Sequence, residues 1–356
     1  MIDAAVIGCG RMGAFTSEAV RQFSPECWFP LAHAEAIAAE PRVRLAAMCD
    51  ANAVQLERAC AAFGNPAGFT DVGVLAHTTR PHLAAIATRT VGRADIIQTL
   101  HAAGTRAFHV EKPLCNSVAE LETLRCIFDA DGVYATFGAV RRNFHIYRHA
   151  VRLARSGEFG PLLEMRVNFG VGSLYWTHPH AIDLILLAAD GADIAGVSAK
   201  LGSLEIAQAT ISNDPVVESA TIWFADGVAG HIGRAPGLDL VLSCRDGEVI
   251  VRADGRELEI AVQRGDDPYL QRARYQGSIP GDGAQGTLAS IAHLADCLEG
   301  DPEAGLSNAR LRRDILTGQA VAFACVQSHR QGSHIVPLDA IDPDMRVMAQ
   351  TGGNFA

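Results

Sequence analysis

Six residues near the amino terminus constrain the fold more than anything else in the chain: Gly8-Cys9-Gly10-Arg11-Met12-Gly13. They follow a short apolar run at residues 4–7 and precede a stretch with helical character at residues 12–21. A strand, a G-x-G-x-x-G turn and a helix in that order is the context in which this pattern holds a dinucleotide. The first glycine permits the tight turn, the second lets the backbone approach a pyrophosphate, and the third allows close helix–strand contact. The helix start adds N–H groups and a partial positive charge. Gly8, Gly10, Arg11, Met12 and Gly13 are therefore candidate cofactor residues.

The rest of the amino-terminal part repeats the alternation. Apolar runs at 43–49, 83–87, 107–110 and 133–137 are separated by helical stretches at 53–63, 94–103 and 118–129. Strands alternating with helices imply βαβ units, right-handed crossovers and a doubly wound parallel sheet. Residues 23–41 make the first crossover longer than usual and contain a possible second helix at 32–39; they read as an insertion. Beyond about residue 140 strands dominate, at 162–170, 194–201, 216–224, 238–244 and 248–262, with helices at 146–156, 180–189, 287–298 and 308–329. Asp246-Gly247 and Asp254-Gly255 are hairpin signals. The pattern divides the chain into a dinucleotide-binding domain over 1–138, an α/β domain with an open, mainly antiparallel sheet over 139–340, and a tail over 341–356. Residues 266–286 read as a loop.

With 356 residues, 49% of them hydrophobic, the chain is long enough for two packed cores. A net charge of −10 disfavours nucleic acid as a partner. No secretory leader and no apolar run of membrane-spanning length is read, which points to a cytoplasmic protein. Nine scattered cysteines without a C-x-x-C pair read as reduced thiols and make a metal site improbable.

The second strand ends at Asp50. A carboxylate there accepts from ribose hydroxyls and repels a 2′-phosphate, or else caps the next helix. No Arg or Lys follows before Arg58, so NAD is favoured over NADP. The strand at 107–110 runs into Glu111-Lys112-Pro113-Leu114. Carboxyl ends of such strands are where ligands bind, so Lys112 is placed to hold a hydroxyl oxygen that becomes a carbonyl. Pro113 fixes the backbone there and is a candidate cis residue.

Gly8–Gly13, Cys49-Asp50, Ala87-Thr88 and Glu111-Lys112-Pro113-Leu114, in that order, resemble the glucose–fructose oxidoreductase/inositol dehydrogenase (Gfo/Idh/MocA) family. The resemblance implies hydride transfer between a carbinol of a sugar, sugar derivative or cyclitol and NAD. It implies that Lys112 contacts the reacting hydroxyl, that Thr88 and Glu111 line the cofactor, and that the protein is a homodimer or homotetramer built on an exposed sheet face. Where relatives carry a histidine near the nicotinamide this chain has Arg93, which suggests a more basic pocket.

In the second domain, His178-Pro179-His180 precedes Asp183. His180 and Asp183 share a helix face, and a carboxylate beside an imidazole fixes its tautomer and raises its pKa. The resemblance makes His180 the general base and Asp183 its carboxylate, with His178 as a rival base. An aspartate that relatives place four residues before the histidine is Trp176 here, a residue suited either to stacking on a sugar ring or to core packing. Arg142 and Asn143, after the sixth strand, are candidate substrate contacts. Alternative functions on the same fold are an NAD-retaining glycosidase, a hydride-exchange enzyme and a non-catalytic dinucleotide-sensing regulator.

Overall fold

The computed structural model describes residues 1–207, 210–263, 269–281 and 283–348. In chain order it begins with β1 (Ile2–Ile7), α1 (Glu18–Phe23), α2 (His33–Ala39), β2 (Val43–Cys49), α3 (Ala53–Ala62), β3 (Ala67–Phe69), α4 (Val72–Thr79), β4 (Leu83–Ile86), α5 (Arg93–Ala102), β5 (Ala107–Val110), α6 (Val118–Phe128) and β6 (Tyr134–Phe137). The six strands form one parallel sheet in the order β3-β2-β1-β4-β5-β6. Every residue of β4 and β5 is buried, His109 of β5 included, which is why they show no alternation of apolar and polar residues. The direction of strand order reverses between β1 and β4, and a dinucleotide binds at such a switch point. Local signals set the helix starts. At α6, the Ser117 hydroxyl accepts the Glu120 N–H at 3.1 Å and the Glu120 carboxylate accepts the Ser117 N–H at 3.2 Å.

The helix expected over 12–21 does not form as one piece. Residues 11–14 make a turn, α1 is a separate short helix, and α2 follows after a second break. The first N–H groups of α2 bond back to the turn, His33 to the Met12 carbonyl and Ala34 to the Gly13 carbonyl, both at 2.8 Å. The excursion is tied down by the Thr16 hydroxyl, which donates to Glu35 at 2.7 Å, and by Arg21, which meets Glu35 at 2.5 Å. The second helix foreseen at 32–39 is therefore the continuation of the first crossover, and the added chain lies before it.

The second part contains α7 (His145–Ala154), β7 (Leu162–Asn168), α8 (Pro179–Ala189), β8 (Ile194–Leu201), β9 (Ile206–Ala207), β10 (Thr210–Ile211), β11 (Val217–Phe224), β12 (Ala229–Gly233), β13 (Asp239–Cys244), β14 (Gly247–Arg252), β15 (Glu257–Gln263) and β16 (Leu270–Arg274). Eight strands form a sheet in the order β16-β15-β14-β13-β7-β12-β11-β8, antiparallel except for β7 with β12. The hairpins at Asp246-Gly247 and Asp254-Gly255 form as expected, with Asp254 and Gly255 both at positive φ. β12 was not foreseen because Gly230 and Gly233 dilute its pattern. The reason for Gly230 is steric: a Cβ there would stand 2.4 Å from the Ile185 side chain of α8. β16 lies in the stretch expected to be a loop, of which residues 266–268 and 282 fall outside the described residues. In the tail, a short strand, β17 (Arg346–Val347), pairs with β10, and residues 349–356 lie outside the description.

The last two helices divide differently from the expectation that both close the second domain. α9 (Gly286–Leu298) and α10 (Pro302–Arg330) follow β16. Residues 1–140 and 283–316 make one compact unit, and residues 141–282 and 317–349 the other. Ile291, Leu294 and Ala295 of α9 share one apolar core with Ile2, Val6, Leu83 and Ala85. Early in α10, the fully buried Asn308 amide receives the Ala135 N–H at 3.1 Å and donates to the Ala135 carbonyl at 3.0 Å, satisfying edge strand β6. Late in α10, the Ser328 hydroxyl accepts the Ala199 N–H of β8 at 2.9 Å.

Candidate functional site

β1 delivers the glycine turn to the switch point. Gly8 sits at φ +91°, and a Cβ on it would stand 2.9 Å from the Ala87 carbonyl carbon and the Thr88 nitrogen. A Cβ on Gly13 would overlap the Gly8 carbonyl oxygen at 1.7 Å. The fold itself therefore requires both glycines. Gly10 is different. Among the described residues, its two chain neighbours aside, no atom lies within 4 Å of the place its Cβ would occupy, and its φ is not positive. Nothing among the described residues asks for glycine at position 10, whereas a phosphate lying on the turn does. The Thr88 hydroxyl oxygen, at the end of β4, is buried with no hydrogen-bond partner among the described residues. An open cradle beside an unsatisfied buried oxygen fits a bound dinucleotide. The helix dipole expected behind the turn shrinks to one turn, closed by the Ala14 N–H on the Gly10 carbonyl at 2.9 Å.

Asp50 braces this turn. Its carboxylate accepts the Cys9 N–H at 2.7 Å and the Asn52 N–H at 2.8 Å. The helix-capping alternative belongs to Asn52, whose side chain accepts from Val54 and Gln55 of α3. Asp50 is thus held at the end of β2 beside the turn, where a ribose is expected.

At the end of β5, Lys112 is half-buried and its peptide bond to Pro113 is cis. Glu111, expected among the cofactor contacts, turns inward instead. Its carboxylate lies 3.3 Å from His33 Nε2 and accepts the Lys112 N–H at 3.2 Å. Gly138 makes room for it, since a Cβ there would be 2.7 Å from the carboxyl group. Burial pushes the Glu111 carboxyl up, but the His33 hydrogen bond and the charges of His33, Lys112 and His109 outweigh it and hold it below the usual carboxylate range. Arg93, expected to make the pocket more basic, is wholly buried and donates to the carbonyls of Thr88, Glu111 and Pro113. Burial lowers its pKa to about 10, so it stays charged at neutral pH.

In the second unit, Pro179 opens α8, with His178 at the cap position, His180 half-buried in the first turn and Asp183 buried one turn on. Arg142, expected as a substrate contact, instead pairs with Asp183: its Nε lies 2.9 and 3.0 Å from the two carboxylate oxygens. Asn143 likewise accepts from Arg148 at 3.1 Å, and both Arg142 and Asn143 are buried. His178 has no solvent exposure, and burial lowers its pKa to about 4. Trp176 is exposed, which removes the core-packing reading. The Asp214 carboxylate accepts the backbone N–H groups of Tyr175 and Trp176 at 2.8 and 2.9 Å and so presents that indole.

Residues 2–138 match the model of the oxidoreductase family with an NAD-binding Rossmann fold, Gfo/Idh/MocA. Through residues 2–138 the chain carries a domain that matches this family. It is an NAD-binding oxidoreductase. The likeness in fold extends over nearly the whole chain. The WlbA dehydrogenase from Bordetella pertussis, solved with NADH and UDP-GlcNAcA, is 18% identical with a TM-score of 0.69, covering 94% of this chain and 99% of that one. Levoglucosan dehydrogenase, solved with NADH and levoglucosan, gives 18% and 0.70 with the same coverage. The aldose–aldose oxidoreductase from Caulobacter crescentus, solved with glycerol, gives 17% and 0.71, again over 94% and 99%. No curated protein sequence matches the chain.

The composition carries a further signal for the site. Of 30 basic residues only two, Lys112 and Lys200, are lysines. A chain that otherwise uses arginine keeps an ammonium at the end of β5, and an ammonium differs from a guanidinium in being able to lose its proton. The roles of His33, Arg93 and Asp214 carried no such signal, because each depends on a partner far away in sequence.

Proposed function

We propose that the protein is an NAD-dependent dehydrogenase acting on a carbinol of a sugar, sugar derivative or cyclitol. The observation that carries this reading is Lys112: a half-buried ammonium at the carboxyl end of β5, in a backbone segment whose carbonyls are tied down on both sides. The bound ligands of the solved neighbours, UDP-GlcNAcA and levoglucosan, support the sugar class. NAD⁺, when bound, supplies the hydride acceptor. Gly10 lets its pyrophosphate rest on the turn, Asp50 receives the ribose hydroxyls, and Thr88 offers its hydroxyl to the same ligand. Lys112 donates a hydrogen bond to the carbinol oxygen and stabilises the negative charge that grows there. His180 takes the hydroxyl proton. His178 is the weaker choice of base, since its enclosed ring holds a proton only below about pH 4. Asp183, paired with Arg142, orients the first turn of α8. Trp176 offers its indole face to the apolar side of a sugar ring. The same reading takes the protein as a homodimer or homotetramer.

The test is net production of NADH, read at 340 nm, from NAD⁺ and a panel of polyols, aldoses, uronic acids and anhydrosugars. At least one member is expected to reduce NAD⁺. Consumption of a sugar without NADH would overturn the dehydrogenase reading in favour of a retained cofactor. Tight NADH binding with no sugar turned over would favour a sensor.

A further inference from the structure

Arg93 is one of the largest buried side chains, and among the described residues its guanidinium is bonded to backbone carbonyls alone. Nη1 donates to the carbonyls of Glu111 and Pro113, the residues on either side of Lys112. Nη2 donates to the Thr88 carbonyl at the end of β4. One planar group thus fixes the backbone around Lys112 against the neighbouring strand end. A guanidinium suits this, because its donors form a rigid fork, whereas an ammonium is a point charge on a flexible stem. Burying the charge costs free energy that three carbonyl contacts only partly return, as the lowered pKa reflects. A cheaper apolar side chain would fill the space, so the contacts themselves are the feature to be explained. Glu111 adds a second anchor from below, wedged between His33 and Gly138.

We infer that Arg93 is a positioning residue that sets the place of the Lys112 ammonium. The inference rests on the reading that Lys112 contacts the substrate. Arg93 touches neither substrate nor cofactor in this account and acts through the backbone of residues 111–113.

The two-lysine composition makes the inference measurable without a known substrate. Competitive acetylation with acetic anhydride, read by mass spectrometry, reports Lys112 against Lys200 in the same molecule; Lys200 is exposed and paired with Glu218 at 2.9 Å. Arg93→Met is expected to change the Lys112-to-Lys200 ratio several-fold and to lower kcat about a hundredfold on the best panel substrate. KM and NADH affinity are expected to stay within about threefold, as misplacement of one reacting group requires. Arg93→Lys, which keeps the charge without the fork, is expected to lose roughly tenfold in kcat and to move the ratio in the same direction. It carries the test if the methionine variant does not fold. Wild-type kcat and an unchanged acetylation ratio in either folded variant would overturn the positioning role. Undiminished turnover in Lys112→Ala would instead defeat the catalytic reading, while the acetylation ratio would still decide whether Arg93 places the lysine.

Discussion

Replacing Lys112 with Ala is expected to lower turnover by about 10²- to 10⁴-fold while leaving NADH affinity within about threefold. The asymmetry follows from what Lys112 does in this account. It meets the reacting oxygen, where charge develops only as the hydride leaves, so its loss is felt in the transition state far more than in the bound cofactor. Lys112→Arg is expected to recover little. The guanidinium is larger, keeps its proton at any working pH and spreads its charge over a plane. Steady-state kinetics with a panel substrate, alongside an NADH fluorescence titration, separates the two effects. A Lys112→Ala protein with normal kcat would remove the residue from the chemistry.

The second large effect concerns acid. His109 and His178 are both fully buried, and burial is the main reason each is pushed down, to about 3 and about 4. For His109 the charge of His33 adds to burial. An unfolded histidine takes up its proton near its ordinary value of about 6.5, whereas these two stay neutral until far lower pH. Between those limits the unfolded chain binds more protons than the folded one, so stability falls as pH falls. It is complete above about pH 6.5 and is lost progressively down to the folded values, by about 3 kcal/mol for His178 and about 5 kcal/mol for His109 at most. Urea unfolding midpoints taken at several pH values from about 7 to about 4 should therefore decline steeply. His178→Gln and His109→Gln should each flatten the decline in the unit that holds the residue. Midpoints indifferent to pH over this range would contradict the buried, neutral assignment.

The sequence made the first unit legible because its signals are local. Strands β1, β2, β4 and β5 are mainly apolar, and the glycine turn, Asp50 and Lys112 all sit at their carboxyl ends. What escaped was non-local. The helix after the turn is broken because Thr16, Arg21 and Glu35 hold an excursion that periodicity cannot reveal. β3 has three residues, exposed or half-exposed, so it presents no apolar run. α9 has an apolar face that periodicity finds readily, but the sheet it covers cannot be read from the helix itself. At the site, the resemblance implies a cofactor contact at Glu111, and Arg142 is a candidate substrate contact from its place after the sixth strand. Each instead has a buried partner, Asp183 at a sequence distance of 41 residues and His33 at 78. Arg93 was noticed as a departure from the family pattern, but its meaning lay in three carbonyls.

The central claim is that a dinucleotide lies on the glycine turn, and Gly10 isolates it from the needs of the fold. Gly10→Ala introduces a methyl group into space that no atom of the described residues occupies. The thermal midpoint of the variant should be unchanged or slightly raised, since alanine at an unstrained position stabilises by about 0.4–1 kcal/mol. Its NADH affinity, measured by fluorescence titration, should fall about 10- to 100-fold through contact of that methyl group with the pyrophosphate. Wild-type NADH affinity in a folded Gly10→Ala protein would contradict the account.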